Sequence, residues 1–212
     1  MRLVQDLYKL NPNFIIITGD GRRELHILRG LTKVYNGNDL ILYFPFSVLP
    51  KKTGKSALDS IKTLANDYGF NSIIYIVDGD AFDEPADIEI QDYLNRIGIR
   101  IDNVNLIQSA LIINCRLGNN HIRLYCIISG PRTFIEEEIA NLINLKWGIE
   151  VDLTGSRDRD WKIRVKNEVI RILREKNIKI ESLIESTGKT KLELAFPNIC
   201  AILKKIEEDN QM

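Results

Sequence analysis

The stretch Ser72-Ile-Ile-Tyr-Ile-Val-Asp-Gly-Asp-Ala-Phe-Asp-Glu84 is an apolar run, rich in β-branched residues, that ends in four acidic residues within seven positions. The apolar run is too short for a helix of ordinary length and does not alternate with polar residues, so it predicts a strand covered on both faces. Such strands are typical of the centre of a parallel sheet. Ligands of open α/β sheets bind beyond the carboxyl ends of the strands, which is where this stretch places Asp78 and Asp80.

Length and composition restrict the classes of protein to which the chain can belong. Its 212 residues are 44% hydrophobic, which is enough to build a real core. Lys plus Arg equals Asp plus Glu at 29 each, so a nucleic-acid or membrane partner would need a local patch of charge. The three cysteines lie apart in apolar segments, which favours buried thiols over a zinc site or disulfides. Because the sequence shows neither a signal peptide nor an apolar run of ~18 to 20 residues, we expect a cytoplasmic protein without membrane contact.

Strands and helices alternate around the opening stretch. The predicted strands cover residues 14–17, 40–44 and 72–77, and a hairpin of two antiparallel strands follows at 105–116 and 121–128. The predicted helices cover residues 1–11, 22–34, 51–69, 87–97, 131–147, 161–176 and 197–208. The order predicts an α/β fold with a mainly parallel central sheet and helices on both faces. We expect this domain to span residues 1–150, with residues 151–212 forming a helical extension packed on it.

Two pairs of acidic residues lie where neighbouring strands of the predicted sheet end. Asp78 and Asp80 have the spacing that sends both side chains of an extended segment to one side. Asp20 and Glu24 follow the strand at 14–17 and lie four residues apart at the start of a helix. Oxygen ligands in such a cluster suit Mg²⁺ or Mn²⁺, so the four carboxylates predict a divalent-metal site. Asp83 and Glu84, which precede Pro85, are more typical of turn residues.

The sequence Gly54-Lys55-Ser56 lies between a predicted strand and a predicted helix, so Lys55 could contact a phosphate. A phosphate-binding P-loop needs a glycine five positions before Gly54, and Leu49 stands there. The segment Gly188-Lys189-Thr190 departs from the motif in the same way, with Leu183 at that position. A nucleotide-binding P-loop-like protein is therefore an alternative with partial support.

The arrangement of acids resembles the Toprim domain, the catalytic module of topoisomerases, bacterial-type primases and some nucleases. Asp20-Gly-Arg-Arg-Glu24 is similar to the E-G-x-x-E motif of the nuclease branch, with aspartate in place of the leading glutamate, and Asp78-Gly-Asp80 matches its D-x-D motif. The resemblance covers about residues 13–130. It is nearest to small archaeal and bacterial Toprim-like proteins and to nucleases of the overcoming-lysogenization-defect type.

The resemblance implies a Toprim-type nuclease that hydrolyses phosphodiesters with Mg²⁺ or Mn²⁺. Glu24, Asp78 and Asp80 would bind metal, and Asp20 would be a ligand or the general base. Lys55 would offset the developing charge, with Lys162 or Lys166 as weaker candidates. Further basic residues could face a nucleic-acid backbone: Arg22, Arg23, Lys51, Lys52 and the segment 157–166.

Alternatives stay open at this point. The side chain of Asp20 is one methylene shorter than glutamate, and a shift in alignment would place Thr18-Gly19 at the Glu-Gly position and remove the first acid. Either change would suit a catalytically impaired module that binds nucleic acid or supports assembly. The sequence leaves open whether the nucleic acid is DNA or RNA and whether the chain forms a homodimer.

Overall fold

One sheet forms the centre of the computed structural model, which describes residues 1–6, 10–18, 21–37, 39–45, 52–130, 134–155 and 158–210. Within these ranges the strands are β1 (Arg2–Val4), β2 (Phe14–Thr18), β3 (Ile41–Tyr43), β4 (Ser72–Asp78), β5 (Arg100–Ile107), β6 (Ala110–Leu117) and β7 (Asn120–Ser129). The α-helices are α1 (Arg22–Val34), α2 (Ser60–Asn66), α3 (Ala86–Arg96), α4 (Ile135–Trp147), α5 (Arg159–Glu175), α6 (Ile180–Glu185), α7 (Lys189–Ala195) and α8 (Pro197–Asp209). Short 3-10 helices cover Gly54–Asp59 and Gly79–Ala81.

The strand order is β1-β3-β2-β4-β7-β6-β5. The first five strands of this order run parallel, and β6 and β5 continue the sheet in antiparallel pairs. The predicted α/β class with a mainly parallel sheet is therefore confirmed. The apolar stretch forms β4, which pairs with β2 on one side and with β7 on the other, so the predicted central position is also confirmed.

Each face of the sheet is covered by its own core. Successive side chains of β4 point to opposite faces, so Ile74 and Ile76 join one core while Ile73, Tyr75 and Val77 join the other. The first core contains residues of α1, α4, α5 and α8, and the second contains residues of α2 and α3. Both faces of β4 are buried, which explains why the sequence of this strand does not alternate.

The helices beyond residue 150 share the first core with the sheet. Val165 of α5, Leu183 of α6 and Ile199 of α8 are buried in the same cluster as Leu28 of α1. Gly30 lets α6 approach α1 closely, since a Cβ at this position would lie 2.8 Å from Cβ of Ile184. The division into an α/β domain of residues 1–150 and a helical C-terminal extension of residues 151–212 stays a prediction.

Several predicted elements differ from the structure. The prediction of a helix over residues 1–11 is wrong for the described part of this segment. Residues 2–4 form β1, which pairs with β3 at the edge of the sheet. The helical period of residues 51–69 predicts that Tyr68 faces inward with the apolar stripe, whereas its side chain is 52% exposed. The strand expected over residues 105–116 is interrupted by a turn at Gln108 (φ 56°) that separates β5 from β6. Helices α6 and α7 were not predicted, because short apolar clusters carry little helical periodicity.

Two further expectations concern the thiols and the membrane. All three cysteines are buried and free, as predicted. None of the helices in the described ranges combines the length and the apolar character that crossing a bilayer requires.

Candidate active site at the carboxyl edge of the sheet

The strands β2, β4 and β7 are parallel neighbours, so the segments that follow them leave the sheet at the same edge. Asp78 is the last residue of β4 and pairs in register with Ser129 of β7. The next residue passes close to β7, since a Cβ at Gly79 would lie 2.9 Å from the carbonyl oxygen of Gly130. Glycine at position 79 therefore lets the acidic turn, residues 78–84, lie against the end of the neighbouring strand β7.

Strand β7 turns tightly toward α4 at Gly130. This residue has a left-handed backbone (φ 70°), and a Cβ on it would overlap the backbone of Phe134. The backbone N–H of Ile135, the first residue of α4, donates to Oδ1 of Asp78 at 3.1 Å. Asp78 therefore lies at the start of α4, where the partial positive charge of a helix N-terminus attracts a carboxylate.

The start of α1 meets the start of α4 at the same edge. Glu24 lies in the first turn of α1 and is buried. Its neighbour Arg23 forms an ion pair with Glu136 in the first turn of α4. Because α1 follows β2, the neighbour of β4, the structure places Glu24 at the edge where Asp78 ends its strand. Asp20, the other predicted ligand on this side, lies outside the described residues.

Asp80 occupies the 3-10 turn directly after β4 and forms an ion pair with Lys162 of α5. The two side chains are 36% and 29% exposed, so solvent reaches the pair. The two aspartates of the D-x-D motif thus have different partners in the protein. Asp78 contacts a backbone amide of α4, whereas Asp80 contacts a cationic side chain of α5.

Lys55 lies beside the acidic turn but pairs with Glu89 of α3, and not with Asp78 or Asp80. It is the second residue of the 3-10 helix Gly54–Asp59 and forms an ion pair with Glu89 of α3. Glu89 also accepts hydrogen bonds from the backbone N–H groups of Asp83 and Glu84, each at 2.6 Å. The hydrogen bond from Lys55, followed by those from the two amides, lowers the pKa of Glu89. Residues 83 and 84 therefore form a turn held by Glu89, which agrees with their interpretation as turn residues.

Sequence reasoning missed the buried glutamates of α4. Glu136, Glu137 and Glu138 follow one another in its first turn, and all three are buried. Oε1 of Glu138 accepts a hydrogen bond from the N–H of Gly130 at 3.2 Å. Burial raises the pKa of Glu138 to about 8; the Gly130 hydrogen bond opposes this rise, and the charges of Asp78 and Glu137 add to it.

A signal for these glutamates is present in the sequence. Three consecutive acids, Glu136 to Glu138, lie near the start of the helix predicted over residues 131–147. The spacing of Thr133 and Glu136 predicts a different role for Glu136, as the partner of Thr133 in a capping box. Thr133 lies outside the described residues, and the residue in the N-cap position of α4 is Phe134.

The donor chemistry of the acidic turn fits a divalent cation. Within the described ranges, no three Asp, Glu, His or Cys side chains are grouped so that they could hold a metal ion. Glu24, Asp78 and Asp80 therefore do not form a three-ligand set. Mg²⁺ in phosphate-handling sites usually keeps several waters and is bound by one or two carboxylates together with substrate phosphates. Asp78 and Asp80 can supply two such carboxylates.

The glycine-lysine segments differ in their surroundings. Gly188 lies between α6 and α7, without the preceding strand that a P-loop requires, and Lys189 lies 4.2 Å from the ring centroid of Tyr35. The segment at Gly54 lies between β3 and α2. Residues 46–51, which precede it, lie outside the described ranges. Tyr75 donates a hydrogen bond to the carbonyl oxygen of Gly54 at 3.1 Å, which ties this segment to β4.

Comparison of the chain with protein-family models, with curated proteins and with solved structures found no match.

Proposed function

We propose that the protein hydrolyses phosphodiester bonds in nucleic acid with the help of a divalent cation, as a Toprim-type nuclease. The observation that carries this proposal is the position of Asp78-Gly-Asp80 at the carboxyl end of the central parallel strand, with Lys55 and Lys162 beside the same turn. Carboxylates suit a hard cation, and the lysines suit the phosphates of a substrate. This edge is also where open α/β sheets bind their ligands.

Each side chain has a task in this reaction. A bound Mg²⁺ or Mn²⁺ would polarise the scissile phosphate and supply an activated water. Asp78, held by the N–H of Ile135, and Asp80 would be its ligands. Lys55 would balance the charge that develops on the phosphate. Asp20 would be a ligand or the general base, and Glu24 lies buried at the same edge of the sheet.

Substitution of the two aspartates tests the proposal. Asp78→Asn and Asp80→Asn keep the size of each side chain but remove its charge. We expect each variant to lose Mn²⁺-dependent cleavage of DNA and RNA by about 100-fold or more, since loss of even the groups that orient metal ligands typically costs 10- to 100-fold. The matched control is Asp83→Asn in the same loop. Asp83 contacts Glu89 through its backbone N–H and not through its side chain, so cleavage should persist in this variant. Wild-type cleavage by Asp78→Asn and Asp80→Asn would contradict the proposal.

A second candidate is a non-catalytic module that binds nucleic acid or supports assembly. It is favoured by the Lys162–Asp80 ion pair, because Lys162 balances the charge of this predicted metal ligand without a metal ion. Calorimetric titration with Mg²⁺ and Mn²⁺ separates the two candidates. The module predicts no metal binding at millimolar concentration together with retained affinity for nucleic acid, whereas the nuclease predicts binding that Asp78→Asn weakens.

A further inference from the structure

The first turn of α5 is fixed against the start of α4. Oδ1 of Asp158 accepts a hydrogen bond from the N–H of Trp161 at 2.8 Å and caps the helix. The buried Trp161 ring packs edge-on against Phe134, with ring centroids 5.4 Å apart and planes at 71°. Because Phe134 directly precedes α4, this contact positions the next residue of α5, Lys162, beside the acidic turn after β4.

Lys162 has two contacts in this position. Its ammonium group pairs with Oδ2 of Asp80 and lies 5.8 Å from the centroid of the Phe134 ring. Both partners of the ion pair are partly exposed, so neither charge is locked in the interior. Ion pairs at such positions contribute little to stability. Lys162 can therefore exchange Asp80 for another anion without disturbing the fold.

A divalent cation at Asp80 would compete with Lys162 for the same carboxylate and would be repelled by its charge. A phosphate group offers Lys162 an alternative partner, and charge-assisted hydrogen bonds to phosphate are strong. The exchange would leave Asp80 free for the cation. The pair thus links the metal site to a site for substrate phosphate.

We propose that Lys162 holds Asp80 in the free protein and moves to a backbone phosphate when nucleic acid binds, so that nucleic acid and the divalent cation increase each other's affinity. This inference rests on the proposed function and adds a coupling between its two ligands. Coupling between two sites is reciprocal and typically amounts to about 5- to 150-fold in affinity. Its consequence is a site that binds the divalent cation more tightly in the substrate complex than in the free protein.

The first experiment measures Mn²⁺ affinity of the free protein by isothermal titration calorimetry. Lys162→Gln removes the competing charge and should bind Mn²⁺ about 5- to 20-fold more tightly than the wild type, at the lower end of typical coupling. Lys162→Arg keeps the charge and should retain wild-type affinity. The control is Arg174→Gln, which removes an exposed positive charge from the last turn of α5 and should also leave the affinity unchanged.

The second experiment omits metal and therefore avoids turnover. Fluorescein-labelled ten-nucleotide oligomers, one of deoxythymidine and one of uridine, are titrated in EDTA and followed by anisotropy. Asp80→Asn and Asp78→Asn each remove one negative charge, but only the former releases Lys162. Asp80→Asn should therefore bind at least one oligomer more tightly than Asp78→Asn does, and this advantage should vanish when Lys162→Gln is added. The preferred oligomer then distinguishes a DNA from an RNA backbone.

The outcomes separate the coupling from the proposed function. If the wild type and Lys162→Gln bind Mn²⁺ with equal affinity, the exchange is wrong while metal binding stands. Equal oligomer affinities of Asp80→Asn and Asp78→Asn would also overturn the exchange. If neither Mn²⁺ nor either oligomer binds to any of the proteins, the proposed function itself fails. Circular dichroism of each variant confirms that it is folded.

Discussion

Two groups of acidic side chains lie at the carboxyl edge of the sheet and differ in burial. The inner group, Glu24, Glu136 and Glu138, is between 2% and 4% exposed. The outer group, Asp80 and Glu89, is partly exposed and pairs with Lys162 and Lys55. The difference indicates that the same residue type has two uses here. Buried acids connect the starts of the helices to the strand ends, whereas the partly exposed acids pair with lysine side chains.

The largest expected effect lies at the strand–helix junction that supports the inner group. Gly130→Ala forces a side chain into a left-handed backbone position and against the backbone of Phe134. We expect a loss of about 2–5 kcal/mol in the free energy of unfolding, from backbone strain and overpacking together. Urea denaturation followed by circular dichroism measures it.

The matched control for this substitution is Gly118→Ala in the hairpin between β6 and β7. Gly118 also has a left-handed backbone (φ 59°), but a Cβ there meets no atom within 4 Å. We expect a loss of roughly 1–2 kcal/mol, from the backbone conformation alone. Equal losses at both positions would show that the contact with Phe134 does not constrain the junction.

The inner group also predicts a pH dependence. In the folded chain the pKa of Glu138 is raised to about 8, above its value in the unfolded chain, so its contribution to stability is complete at low pH and is lost as pH rises through about 8. Wild-type stability should fall between about pH 5 and pH 8 by up to about 1 kcal/mol per pH unit. Glu138→Gln stays neutral and should flatten this slope in thermal melts.

The outer group supplies the control for the pH experiment. The pKa of Glu89 is lowered, so its contribution is present above the pKa of the unfolded chain and is lost only as pH falls below it. Glu89→Gln should therefore leave the slope between about pH 5 and pH 8 intact. A wild-type slope that survives in Glu138→Gln would mean that another group titrates in this range.

Sequence alone predicts the parts of this molecule that depend on local pattern. The unbroken apolar run of β4 places it at the centre of a parallel sheet, and that position puts Asp78 at the carboxyl edge. The contacts of the acids depend instead on segments far apart in the chain. The pairing of Asp80 with Lys162 requires α5 to dock on Phe134 through Trp161, and no periodicity in the sequence specifies that contact.

Short elements were the hardest to predict, for a related reason. Residues 2–4 are too few to distinguish the periods of a helix and a strand, and pairing with β3 decides in favour of the strand. The burial of Glu138 could not be predicted either, since a glutamate in the first turn of a helix is usually exposed to solvent. In the structure its Oε1 accepts a hydrogen bond from the N–H of Gly130 at the tight turn before α4.

The smallest expected effect comes from Lys55→Gln, which compares the two outer ion pairs directly. Glu89 keeps the hydrogen bonds from Asp83 and Glu84 when Lys55 is removed, so the unfolding midpoint should hardly change. Mn²⁺ affinity should also stay at the wild-type value, because Lys55 pairs with Glu89 and not with Asp80. If Lys55→Gln tightened Mn²⁺ binding as much as Lys162→Gln, the two lysines would act through their general charge, and the Lys162–Asp80 pair would lose its special role.

Titration of the wild type and Lys55→Gln with ATP tests the nucleotide-binding alternative. ATP binding by the wild type that is lost in Lys55→Gln would favour a nucleotide-binding protein.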